Sequence, residues 1–534
     1  MSKSPQPGNI LFIMCDQLRF DYLSCYGHQS LHTPNIDKLA SKGLRFTHAY
    51  CSAPICAPSR ASYYSGRYPS SHGVMGNDDA LHLDEKMIAD YLQPLGYRSA
   101  VVGKTHSRKN LKEMKALGLD VDSDFCRASQ TGGFEPYESH EGLLPDPVLK
   151  VSPNQGYDQY LKSLDKSLGY DAGNPWEKNA NSGIDENGDR HSGWSLRSSK
   201  YPAAIDEAYS ETAFTTRRAI DFITEAGEQP WCLHLSYIKP HWPVIAPAPY
   251  HDLYTKKDVQ DVVRNPAERN NPHPVYQAFM QQEYSESYSS DDVRDIVIPA
   301  YMGLVKQIDD HLGKLFEFIE AKGLDKNTMI VLTADHGDYL GDHWLGEKDL
   351  FHDVSAKVPM IIVDPRTNAD ATRGQDCDAL VEAVDILPSF VDFAGGVPCR
   401  ERVEGQTLMP LLRGDGDQFK REFAVSEIDY ADRGPRALLG LDPYQCRATM
   451  VCNQHWKYIH HHKFAAQLFD LKNDPDEFID LGQDARYADQ RAQMKDYLFD
   501  WQQNLKRRSG LPYNYMAGQG SKRDEEWGII IGRW

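Results

Sequence analysis

The stretch Asn9-Ile10-Leu11-Phe12-Ile13-Met14-Cys15-Asp16-Gln17 decides the reading of the fold. Ile10 to Met14 is an unbroken apolar run of strand length, the pattern of a parallel strand buried on both faces. Its carboxyl end delivers Asp16. In open α/β sheets sites collect at the carboxyl ends of strands, so Asp16 stands where chemistry is expected, although an Asp there also suits a turn cap. Thr328 to Thr333 is a second such run and ends in Ala334-Asp335-His336-Gly337-Asp338. Pro230 to Tyr237 ends in Lys239-Pro240-His241-Trp242-Pro243, and Tyr97 to Val102 ends in Gly103-Lys104-Thr105-His106. Lys104 and His106, two apart, are expected to project to one side of an extended backbone. Helices are expected from Pro34, capped by Thr33, to Gly43, from Ser210 to Ala226, and from about Arg294 to Lys322. Strands and helices in this alternation give an α/β fold.

At 534 residues the chain is too long for one ordinary core. A large domain over 1–395 and a smaller one over 396–534 are expected. Residues 107–205 are poor in apolar periodicity and read as a functional insertion or interface segment. The net charge of −19 excludes a general nucleic-acid or anionic-membrane surface, so an anionic substrate must be drawn in locally. The six residues from Asn9 to Met14 are too few for a signal peptide's apolar core or a membrane span, which points to a cytoplasmic protein. Ten cysteines without a framework spacing fit reduced thiols.

Between these strands lies Cys51-Ser52-Ala53-Pro54-Ile55-Cys56-Ala57-Pro58-Ser59-Arg60, a strand-to-helix junction. A Cys at a helix start meets unpaired N–H groups and the positive end of the dipole, and Arg60 one turn on adds a fixed planar cation. Taken alone, the pair reads as a buried Cys beside a surface Arg. With Ser65-Gly66-Arg67-Tyr68-Pro69 behind it, the run Cys56 to Arg60 resembles the sulfatases of the alkaline phosphatase superfamily, whose C-x-P-S-R motif marks a cysteine oxidised to formylglycine. Cys51 lacks the Pro and Arg at matching offsets. Thr33-Pro34-Asn35, Gly103-Lys104-Thr105-His106, Pro240-His241-Trp242-Pro243, Asp335-His336 and Lys348 extend the resemblance over nearly the whole chain.

The resemblance implies an alkaline-phosphatase-like architecture: a large central mixed, mostly parallel sheet flanked by helices, with a smaller C-terminal α+β domain containing an antiparallel sheet. It implies hydrolysis of a small anionic ester, an aryl or alkyl sulfate, through a formylglycine made from Cys56 by a formylglycine-generating enzyme. One divalent metal would be held by Asp16, Gln17, Cys56, Asp335 and His336; the imidazole favours Mn2+ narrowly over Ca2+. Arg60, Lys104 and Lys348 would surround the sulfate oxygens, His106 would act as base, and His241 with Lys348 would stabilise the leaving oxygen. Asn77, after Gly76, is open between a turn residue and a substrate contact. Gln17 and His336 depart from most calcium sulfatases and resemble the phosphonate monoester hydrolase branch. Lys104 and His106 stand where that branch tends to have Tyr and Thr. The alternative activity is therefore phosphonate monoester or phosphodiester hydrolysis at the same site.

Other features read as structural. Asp185, Asn187 and Asp189 lack the closing Glu of a calcium loop. Asp342 and His343 are expected to hold the loop before Lys348, and His460-His461-His462 to alternate faces of a strand. The tail after Gly510, with Tyr513, Tyr515, Trp527 and Ile529 to Ile531, is apolar enough to suggest packing on a second subunit, in a dimer or tetramer.

Overall fold

Strand β1 (Asn9–Asp16) is buried at every position, as its apolar run requires. A computed structural model describes residues 8–108, 110–142, 155–164, 175–506 and 512–518. The strands that follow are β2 (Leu44–Tyr50), β3 (Arg98–Gly103), β4 (Glu135–Ser139), β5 (Ser182–Ile184), β6 (Arg190–Ser192), β7 (Trp231–Pro240) and β8 (Thr328–Ala334). Then come β9 (Met360–Val363), β10 (Gln375–Glu382), β11 (Ala424–Asp429), β12 (Arg447–Cys452), β13 (Trp456–His461) and β14 (Gln467–Asp470). Eight of them form one sheet in the order β10-β2-β9-β8-β1-β7-β3-β4. All are parallel except β9, which runs against β2 and β8.

Four adjacent strands, β8, β1, β7 and β3, therefore end at one edge. Cys15 pairs with Ala334 on one side and Tyr237 on the other, and Gly103 pairs with Ser236. At Gly103 the close approach is obligatory: φ is +112° and a Cβ would collide with the Ser236 carbonyl oxygen. Helix Cys56–Ser65 is buried at all ten positions, so it is embedded in the core instead of lying on the surface.

The structure corrects three expectations. Residues 107–205 are not one structureless insertion, because β4 extends the main sheet in parallel beside β3. It was hidden because Glu135-Pro136-Tyr137-Glu138-Ser139 is an edge strand, polar and interrupted by proline, with no apolar run to betray it. Thr33 does not cap the helix Pro34–Lys42; its hydroxyl bonds Ser24, and the orphan N–H groups of Asn35 and Ile36 donate to Asp309 at 3.0 and 2.9 Å. His106 is not in extended backbone, having φ +52°. Ser210 does cap its helix, accepting from the Ala213 N–H. Asp185 accepts the N–H groups of Asn187 and Asp189 and so closes the turn between β5 and β6.

Strands β11 to β14 form a separate antiparallel meander. Helix Ala488–Asn504 packs Met494, Leu498 and Trp501 against Val425, Val451, Tyr458 and Leu468. In β13 His461 is buried and bonded to Gln467, while His460 faces outward. All ten cysteines are free. Among the described residues no helix is long and apolar enough to cross a membrane. Of the tail residues behind the subunit-packing expectation, Tyr513 is half-exposed, while Trp527 and Ile529 to Ile531 lie outside the described residues.

Candidate active site

The parallel edge places Asp16 at the end of β1 and Gln17 just after it, Lys104 and His106 after β3, His241 after β7, and Asp335 and His336 after β8. The helix that begins at Cys56 meets them end-on. One ligand atom each from Asp16, Cys56, Asp335 and His336 lies within 4.8 Å of the others, and all four side chains are buried. Cys56 Sγ is 3.0 Å from His336 Nε2 and 3.2 Å from Lys348 Nζ. Asn77 Oδ1 accepts the Ala57 N–H at 3.1 Å, so Asn77 caps this helix from outside it.

Two buried carboxylates face three buried cations. Lys104 ion-pairs with Asp16, and Arg60 bonds Asp335 at 2.8 Å and lies 3.3 Å from Asp16. Burial opposes ionisation of Asp16, but the cations Lys104, Arg60 and Lys348 outweigh it and hold the carboxyl well below its usual range. Burial also opposes the Cys56 thiolate, yet Lys348, His336 and Lys104 bring that thiol down. His336 loses solvent but gains Asp335 and Cys56, and rises to about 9. His106 and His241 are held well below the ordinary histidine range by burial and then by the neighbouring lysines, so both are neutral at pH 7.

Arg60 is firmly held by the protein: its Nη1 reaches the Lys104 carbonyl at 2.8 Å and Ser236 Oγ at 2.9 Å, while Nη2, 3.3 Å from Asp16, has no aligned acceptor. It braces the two carboxylates and, with Lys104 and Lys348, makes three buried cations at the cluster. Gln17 likewise has protein partners: its amide donates to Asp338 at 2.5 Å and its oxygen accepts from Lys348 at 3.1 Å. Its backbone N–H donates to Asp335 at 3.0 Å.

Lys348 comes from a loop whose conformation is demanding. Leu340, His343, Trp344, Glu347 and Asp349 all have positive φ, each costing about 1–2 kcal/mol for a residue with a side chain. The surroundings enforce it. Asp342 pairs with Arg19 at 2.7 Å and accepts the Val263 N–H, and His343 bonds Glu268 at 2.6 Å while stacking on His352 at 3.7 Å. The loop-holding role expected of Asp342 and His343 is what they perform.

Residues 8–397 match the family model for sulfatases, and residues 341–504 match that for the C-terminal region of N-sulphoglucosamine sulphohydrolase. The chain belongs to the sulfatase family. It is 27% identical to a multifunctional alkaline phosphatase superfamily protein of Trinickia caryophylli over 92% of this chain and 93% of that one. It is also 27% identical to an arylsulfatase of Clostridium perfringens over 90% and 91% of the two chains. Among solved structures it resembles the phosphonate monoester hydrolase of Agrobacterium radiobacter, with a TM-score of 0.77, 26% identity, and coverage of 93% and 96%.

In this sulfatase the donor set suits one divalent cation. Two carboxylates, an imidazole and a sulfur converge there, a mixed donor set of the kind a divalent metal takes, and Asp16 turns Oδ1 toward Cys56 while Oδ2 faces Lys104 and Arg60. Asp338 and Glu347 were not assigned roles from sequence. Burial raises Asp338, and raises Glu347 to about 7; both accept from the Gln17 amide. Their only sequence signal was adjacency, Asp338 within the β8 tip and Glu347 beside Lys348. Lys239 is a further buried group, donating to the Pro243 carbonyl at 2.7 Å and so fixing the turn that presents His241.

Proposed function

We propose that this chain hydrolyses sulfate monoesters to an alcohol and inorganic sulfate at the buried cluster around position 56. The observation that carries the reading is the position of Cys56, at a helix start, 3.0 Å from His336 and 3.2 Å from Lys348 within a four-donor cluster. Asp16, Asp335, His336 and the side chain at position 56 would hold one divalent cation, whose chemistry when bound is to neutralise a substrate oxygen; the imidazole favours Mn2+ over Ca2+. Conversion of Cys56 to formylglycine would supply a hydrated aldehyde, an oxygen nucleophile in place of sulfur.

The chain's own groups do the rest. Lys104 and Lys348 bind the ester's anionic oxygens in a site closed to water, where such charges act strongly. The oxygen nucleophile at position 56 would bond to sulfur as the S–O bond to the alcohol breaks and the leaving oxygen takes the negative charge. Loss of a proton from that side chain would then let sulfate depart with the transferred oxygen, which water would replace. His241 Nδ1 lies 2.5 Å from the Trp242 carbonyl and must carry the proton there, so its Nε2 presents a lone pair to Lys348 at 3.3 Å. Lys348, oriented by that bond, is the cation for the leaving oxygen. Neutral His106, whose Nδ1 is buried without a partner, has a free lone pair with which to take a proton. Peptide mass spectrometry of protein matured with a formylglycine-generating enzyme, beside an assay of sulfate release, tests this reading. An aldehyde at position 56 with sulfate release supports it; a fully unmodified thiol with full activity overturns it.

A second reading, phosphonate monoester or phosphodiester hydrolysis, is favoured by Gln17 and His336 and by the similarity to the Agrobacterium hydrolase. Both ester classes are tetrahedral monoanions and fit the same cations. Turnover of a phenyl phosphonate monoester against phenyl sulfate decides which is preferred.

A further inference from the structure

Position 56 carries sulfur until it is modified, and the donor cluster changes character with that one atom. Of the ten cysteines, Cys56 alone contributes to the cluster. Its Sγ is 3.0 Å from His336 Nε2 and 3.9 Å from Asp16 Oδ1, and Asp335 Oδ2 is 3.8 Å from the same imidazole nitrogen. The His336 ring is held from its far side. Nδ1 lies 2.8 Å from the Gly337 carbonyl, which fixes a proton there and turns the Nε2 lone pair into the cluster. Both carboxylates are braced from outside as well, Asp16 by Lys104 and Arg60, and Asp335 by Arg60 and the N–H groups of Gln17 and His336. Contacts of this kind orient metal ligands.

A thiolate, an imidazole and two carboxylates are four protein ligands, the number that a closed tetrahedral zinc site takes. Thiolate sulfur is a soft donor and selects Zn2+, whereas Mn2+ and Ca2+ prefer oxygen. An aldehyde hydrate at position 56 would leave one imidazole among oxygens and move the preference toward the harder ions. Charge follows the same division. The thiolate places a negative charge 3.2 Å from Lys348 Nζ, which a neutral hydrate does not.

We propose that the unmodified chain is a zinc-thiolate protein, with Cys56 as fourth ligand beside Asp16, Asp335 and His336, and that conversion of Cys56 changes the metal the site selects. Binding forms a Zn–S bond and sends the thiol proton to solvent; no electron is transferred. Four protein ligands leave no position for an ester oxygen, so the unmodified fraction is locked in an inactive form. This rests on the metal-holding part of the reading above and not on sulfate as the substrate.

The test uses the full chain expressed without a formylglycine-generating enzyme, its thiol at position 56 verified by peptide mass spectrometry, beside the matured protein and Cys56→Ser. Each is stripped with a chelator and titrated with Co2+, whose thiolate complexes absorb intensely in the near ultraviolet, and then with Zn2+ and Mn2+ in competition. The unmodified chain should bind one Co2+ with that band and lose the band when Zn2+ is added. Its preference for Zn2+ over Mn2+ should exceed that of the matured protein by roughly a hundredfold. The matured protein and Cys56→Ser should bind Co2+ without the band, and the matured protein carries the comparison if the variant fails to fold. A band that survives in Cys56→Ser, bound Co2+ without the band in the unmodified chain, or equal metal preference before and after maturation overturns the proposal and leaves the metal-assisted reading standing. No uptake of any of the three ions by any form overturns both.

Discussion

The ammonium of Lys348 stands 3.2 Å from Cys56 Sγ across 292 residues of sequence. Cys56, Glu347 and Asp16 more than offset the cost of burying it and keep it protonated above the ordinary lysine range. It also bonds Gln17 and His241, so one cation ties Cys56, Gln17 and His241 together. Lys348→Met should lower kcat by about 10²–10³-fold, as loss of one charge-stabilising group in a dry site does. The deficit should grow as the leaving alcohol becomes less acidic. Rates across a series of substituted phenyl sulfates measure that slope.

The cap on the nucleophile helix is a stability matter. Asn77→Ala removes the acceptor of the Ala57 N–H and should destabilise the protein by about 1 kcal/mol, whereas Asn77→Asp should retain most of it. Denaturant unfolding compares the three.

This relationship also shows where the sequence stops being informative. The strand tips were legible because runs of strand length each ended in polar or charged residues, which placed Asp16 and Asp335 where chemistry is expected, whereas Lys104 and His241 were drawn into the site only by the resemblance to the sulfatases. Position 56 was legible from its motif. What could not be read was the direction of each side chain once placed. Arg60 was expected beside the substrate anion, but its bonds to Asp335, Ser236 and a carbonyl and its approach to Asp16 left no trace in the sequence. Asn77 was open between two roles and caps the helix. The polar edge strand β4 and the left-handed His106 left no periodic signal, since each is fixed by tertiary hydrogen bonds; Glu141 accepts the N–H groups of both Thr105 and His106.

Chelation should remove both activity and part of the thermal stability. A ligand that binds only the folded state adds about 2.7 kcal/mol at a hundredfold excess over its Kd. Asp16→Asn should abolish the metal-dependent rise in Tm as well as turnover. Scanning calorimetry with and without added Mn2+ reads the first effect independently of catalysis.

Stability should also fall with rising pH through one carboxyl outside the four-donor cluster. Glu427 is pushed up to about 7 by burial, which outweighs the bonds it accepts from Ser70. Between its unfolded value near 4.5 and about 7 the folded state holds the proton more tightly than the unfolded state, so stability declines as pH rises across that window. The loss is up to about 3 kcal/mol. Glu427→Gln should flatten that slope, as measured by urea unfolding at pH 5 and pH 8.

The most direct test is sulfate release by the matured enzyme against Cys56→Ala in the same preparation. The matured wild type should release one sulfate per ester consumed. The variant should remain folded, with its cluster of Asp16, Asp335 and His336 intact, and be inactive. Cys56→Ala that turns over aryl sulfate at the wild-type rate would contradict the account.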